Sequence, residues 1–172
     1  FLLEQDYNHV ALPVYNIPIK VNVSPLNFNK STYNAFTKAK PTQTQNVGVN
    51  YIDSLDTKPK YLKIDVADRV AVLNTLNSKT NQDVFQYLKN KDQTHVITSL
   101  AVVFNNNQLD ALVQADEVFL EVTGVKNYAL KVYKDNTLQQ TILFNEGVVF
   151  AYKTSSCCWK QNEKYQLEII DL

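Results

Sequence analysis

The chain's two cysteines are adjacent, Cys157 and Cys158, and stand directly before its one tryptophan in the run TSSCCW (154–159). Neighbouring thiols can pair with each other, stay inert, or act as nucleophile, metal ligand or intermolecular link. Adjacent Cα atoms lie about 3.8 Å apart, whereas ordinary disulfides span roughly 4.4–6.8 Å, so a bond between the two closes a strained ring. On a regular strand they would point to opposite faces and remain two separate thiols. TSSCCW lies at a strand end, where regular alternation gives out, and the chain has no other cysteine to compete. The expected state in an oxidising compartment is therefore a vicinal disulfide, a local clip that stiffens a turn beside Trp159.

A catalytic thiol needs an imidazole in reach, and the chain offers only His9 and His95. No C-x-x-C or H-x-x-H spacing accompanies them, so no zinc site is expected. Asp110, Asp116, Glu117 and Glu121 lie close in sequence, and a pair of them is the basis of an alternative in glycoside hydrolysis, but a solvated face is the favoured reading of all four. The three glycines, Gly48, Gly124 and Gly147, are scattered singly. A phosphate-cradling loop or dinucleotide fingerprint is thus excluded in its usual form, and no cofactor is expected. Seventeen basic and seventeen acidic residues cancel, and Arg69 is the only arginine. That removes the clustered positive footprint nucleic acids require.

The positioning elements follow from periodicity. The stretch YNIPIKVNV alternates Tyr15, Ile17, Ile19, Val21 and Val23 on one face, and Pro18 marks it as an edge strand. From Ser24 to Asn46 the chain reads as a long polar loop, with DSLDTKPK a second one. YLKID reads as a strand, and Asp65 is the expected N-cap of a helix burying Val66, Val70, Leu73 and Leu76. Thr80 and Asp83 resemble a capping box opening a second helix with Val84, Phe85 and Leu88 inward. THVITSLAVVF is apolar on both sides at its end and is expected to be a central strand, followed by a helical turn at QLDALVQA. EVFLEVTG, YALKVY, LQQTILF, VVFAYKT and KYQLEIID, separated by GVKN, KDNT, NEG and KQNE, read as an antiparallel meander whose turns are built with asparagine.

The expected fold is a single α+β domain over 1–172, mostly antiparallel sheet with a sandwich-like C-terminal meander. Two or three short helices are placed around 66–91 and 108–115, with a loop-rich region 1–60 and a compact core 61–172. Because Phe1 is not methionine, the chain is expected to be an exported, extracytoplasmic (periplasmic or surface) product, processed at its N-terminus, with a lipid anchor possible on a preceding residue. No transmembrane segment is expected. Ser54 in DSL resembles a short O-glycan acceptor motif of exported bacterial proteins, and Asn22-Val23-Ser24 and Asn29-Lys30-Ser31 are N-glycan sequons.

The function expected is a non-catalytic interaction module, an accessory subunit of an envelope or surface assembly. Contact with other protein subunits is assigned to Ile17, Ile19, Val21, Leu26, Phe28, Tyr33 and Phe36, and the edge strand Ile17–Val23 is expected to accept another strand. A carbohydrate-active or hydrolytic domain and a virion or fibre component are the alternatives.

Overall fold

A computed structural model describes residues 2–3, 9–11, 17–43, 47–91, 93–123 and 128–172, the first two segments by backbone alone. It is mixed α+β, mostly β: seven long strands form one antiparallel sheet accompanied by four helices. The strands are β1 (Leu2–Leu3), β2 (His9–Ala11), β3 (Ile19–Asn27), β4 (Lys60–Val66), β5 (His95–Val103), β6 (Glu117–Val122), β7 (Tyr128–Lys134), β8 (Thr137–Leu143), β9 (Val148–Ser155), β10 (Cys158–Gln161) and β11 (Leu167–Asp171). The helices are α1 (Lys30–Ala39), α2 (Arg69–Leu76), α3 (Gln82–Asn90) and α4 (Asn106–Val113). The main sheet runs β9-β5-β4-β3-β6-β7-β8; β1 extends it at the start of β5 with β2 beside it, and β10–β11 form a separate hairpin.

Pairing fixes which side chains share a face. Ile19 lies opposite Leu120, Val21 opposite both Val66 and Val118, Leu130 opposite Ile142, and Leu62 opposite Val102. Val21, Leu62, Ile64, Val102, Val118, Leu130, Val132 and Ile142 accordingly form one buried cluster, which Phe104 and Leu112 of α4 complete. The sheet curls around this cluster. At one end α2, α3 and the β10–β11 hairpin cover Ile19 and Val96, with the Trp159 ring edge-on to Phe85 at 5.3 Å. On the outer face α1 packs Phe36 with Phe28, Val103, Val148 and Phe150.

The meander stops sooner than its periodicity suggests. β6, β7 and β8 are consecutive neighbours, but β9 crosses to the far edge and pairs with β5, and the final strand joins the separate hairpin. Alternation identifies strands without naming their partners, so the crossover is invisible in it. The β7–β8 turn follows its composition: Asp135 and Asn136 both have positive φ (51° and 57°), as a two-residue hairpin requires.

Two local expectations are corrected. The polar segment 24–46 holds the end of β3 and the ten-residue α1, because Asn29 and Thr32 form a reciprocal capping box and Phe36 supplies a buried anchor. Helix α2 begins at Arg69, capped by the Asp68 carboxylate accepting from the Ala71 N–H at 2.9 Å, because β4 continues to Val66. That shift turns Ala71, Val72, Thr75 and Leu76 inward and leaves Val70 exposed.

Candidate functional site

β3 has two different flanks. On one, it pairs with β4 from Val21 to Asn27; on the other, β6 accompanies it only from Ile19 to Val21. The Lys20 carbonyl accepts from the N–H groups of Ala67 (3.0 Å) and Asp68 (3.3 Å), so the backbone groups of Lys20 face β4. Alternation then turns those of Asn22, Ser24 and Leu26 toward β4, and those of Val21, Val23, Pro25 and Asn27 the other way. From Val23 onward no strand among the described residues meets them. Proline is tolerated inside this strand because its missing N–H falls on the unpaired side.

The gap is a notch of about 410 Å³ between β3 and the start of β6, lined by Lys20 to Ser24, Leu112, Val113 and Ala115 to Val118. The space enclosed among Ile19, Val21, Ile64, Val72 and their neighbours is only about 50 Å³, far below the roughly 300 Å³ of a small-molecule pocket. At the notch mouth Lys20 Nζ bonds Glu117 Oε1 at 2.7 Å, and Asp116 Oδ2 accepts from the Asp135 N–H at 2.7 Å.

Three other strands carry local features that interrupt an edge. The Gln43 side-chain amide donates to the Val149 carbonyl (2.7 Å) and accepts from the Val149 N–H (2.9 Å), standing in for a strand on the rim of β9. Asn77 does the same for Ile169 of β11, at 2.8 and 2.9 Å. β8 carries an extra residue, Gln139, at a bulge. Such devices blunt edges against unwanted pairing.

The cysteines are both free thiols, so the expected vicinal bridge is not formed. Cys157 packs with Trp159 against the cluster under α2 and α3, while Cys158 opens β10 on the exposed side; alternation separates them. Burial, with a smaller contribution from Cys158, pushes the Cys157 thiol up to about 11, so at neutral pH it is protonated and inert. His95 Nδ1 lies 3.0 Å from Ser156 Oγ, which is the geometry of a hydroxyl–base pair. No carboxylate among the described residues is bonded to that imidazole to orient it.

The four carboxylates singled out in the sequence do not converge. Asp110 is exposed on α4, Asp116 caps the β7–β8 turn, Glu117 pairs with Lys20, and Glu121 lies 3.9 Å from Lys131. No group of three His, Cys, Asp or Glu among the described residues is placed to hold a metal, and no described helix is long and apolar enough to cross a membrane.

Of the residues assigned to a partner, Ile19, Val21, Phe28 and Phe36 are buried within this chain's own core, so they cannot also face a neighbour. Tyr33 is partly buried, its ring 4.9 Å from that of Tyr51 and tilted by 30° to it, and Ile17 and Leu26 are exposed. The unpaired edge starts at Val23, the last residue of the stretch the alternation singled out. Ser54 is exposed in a turn, and the His9 side chain lies outside the described residues. Pro25 was the available signal for the notch, since a proline within a β-alternating run marks the side on which no ladder forms; the amide seals at Gln43 and Asn77 leave no such trace. Comparison with protein-family models, with curated proteins and with solved structures finds no match.

Proposed function

We propose that this chain is a non-catalytic interaction module that takes an extended segment of a partner protein along the notch edge of β3. The observation that carries the reading is the run of backbone groups at Val23, Pro25 and Asn27, two donors and three acceptors, on the flank of β3 that β6 leaves free and whose first part, to Ser24, lines the notch, in a sheet that carries a side-chain seal on the rim of β9. Strand addition supplies affinity through such main-chain bonds. Pro25 lowers the number of donors by one and so restricts the register of what can pair.

Amide exchange tests the edge directly. In the isolated chain the N–H groups of Val23 and Asn27 exchange fast and those of Asn22, Ser24 and Leu26 slowly. Peptides selected from a nine-residue display library against the folded chain then slow Val23 and Asn27. Selected peptides that leave these two amides unchanged sink the reading. An exported, surface-assembly setting belongs to the same proposal, supported by the exposure of Ser54 as a glycan acceptor would need; the intact mass of natively purified chain reads it out.

A further inference from the structure

The free flank of β3, whose first part to Ser24 lines the notch, has two electrically different ends. At the Val21 end stand Asp116, Glu117 and Lys20, the last already spent on Glu117, and the C-terminal turn of α4, whose Leu112 and Val113 line the groove. The final carbonyls of a helix carry partial negative charge, so this end is acidic. At the Asn27 end stand Lys30, which opens α1, and, one strand away on the opposite flank of β3, Lys60, paired with Asn27 on β4; both are exposed, and neither has an ion-pair partner among the described residues. The N-terminus of α1 adds partial positive charge there. From Val23 to Asn27 the free edge is roughly 13 Å long, the reach of about five extended residues.

Direction follows from the sheet. Every ladder between the main strands is antiparallel, and β6 runs antiparallel to β3 before leaving its side. A strand that continues the column of β6 along β3 therefore runs with its carboxyl end toward Glu117 and its amino end toward Lys30 and Lys60. We infer that the segment accepted by the notch is an extended, antiparallel peptide with an acidic amino end and a basic carboxyl end. This rests on the reading that β3 accepts a strand, and it names the chemistry of that strand.

Two end-capped nine-residue peptides of identical composition test it. One carries Glu first, alternating Val and Thr within, and Lys last; the other exchanges the two charged residues. The Glu-first peptide binds about five-fold or more tightly at low ionic strength, and the difference fades as salt is raised. Glu117→Gln narrows the difference and Lys20→Ala, which frees the Glu117 carboxylate, widens it. Equal affinity, with Val23 and Asn27 protected by both peptides, overturns the polarity and leaves strand addition standing. Tighter binding of the Lys-first peptide overturns the antiparallel direction. Protection of neither amide by either peptide overturns this inference and the proposed function together.

Discussion

Replacing Gly147 with alanine should destabilise the fold by steric means alone. Gly147 follows the short turn after β8, with φ −110° and ψ 177°, an extended conformation that alanine adopts freely. A Cβ there would lie 2.6 and 2.7 Å from two ring carbons of Phe104 and 2.9 Å from the Val103 carbonyl oxygen. None of the three neighbours yields easily: Phe104 is buried in the main cluster beside Phe144, and the carbonyl belongs to β5, a central strand. Overpacking of this kind costs about 1–3 kcal/mol, against which the stiffer unfolded chain returns about 0.4–1 kcal/mol. The net loss is about 1–2 kcal/mol. With a urea m-value of about 2 kcal/mol/M the midpoint should fall by about 0.5–1 M at unchanged m. Gly48→Ala is the matched control, since nothing lies within 4 Å of its added Cβ, and it should move the midpoint little. Phe104→Leu in the Gly147→Ala background should recover part of the loss relative to the sum of the single effects. A Gly147→Ala protein as stable as wild type would refute the argument, because it would show that the Phe104 ring moves aside without cost.

Four further outcomes are expected. With a thiol reagent near pH 7, the folded chain should show one accessible thiol, Cys158, and one slow thiol, Cys157, whose rate climbs with pH toward about 11; two equally fast thiols would contradict the inward placement of Cys157. The raised Cys157 value also fixes a sign: its stabilising contribution is complete below the unfolded thiol value near 9 and is lost as pH rises from there toward 11, so Cys157→Ala should flatten the alkaline limb of the stability curve. Asn77→Asp keeps the acceptor for the Ile169 N–H but loses the donor to its carbonyl, at a cost of about 1–3 kcal/mol; the emission of the single tryptophan, Trp159, should shift to the red as the hairpin loosens. For Asp65, burial alone would raise the carboxyl, but hydrogen bonds from Ser99 and Lys63 and the charges of Lys63 and Lys153 outweigh it and lower it. Its contribution is therefore present above the ordinary carboxylate range and lost as pH falls through the lowered value, and Asp65→Asn should shrink the acid-side loss of stability.

Element type was legible wherever side-chain periodicity is enforced by a solvent boundary. β6, β7 and β8 were marked by the residues they turn to the core, Val118, Leu130, Val132 and Ile142, and α3 by Val84 and Leu88 on one stripe. What periodicity does not encode is pairing. The passage of β9 to the far edge depends on a two-sided match with β5 involving two bulges, and nothing in VVFAYKT specifies it. α1 was hidden for another reason: KSTYNAFTKA has weak intrinsic helix propensity, and a capping box with one aromatic anchor overrides it. The cysteines illustrate the limit of distance arguments, since spacing alone shows that a vicinal bond is strained, while the alternation of β10 and the packing of Cys157 beside Trp159 decide that the thiols part.

The placement of β3 has a consequence for how the chain is made. Its flank partner β4 is translated soon after it, but β6, which pairs with Ile19 to Val21, lies about a hundred residues downstream. At synthesis rates of roughly 5–20 residues per second, the start of β3 waits on the order of 5–20 s for that partner, and β4 about half as long. Until then Val21, Leu62 and Ile64 have only part of their cluster to enter, because Val118, Leu130, Val132 and Ile142 do not yet exist. Sheets assembled from such distant segments also close slowly once complete, in milliseconds to seconds. A nascent chain of this topology is therefore a client for holding factors until its C-terminal third emerges, and fragments ending before β6 should be recovered as aggregates or as chaperone complexes.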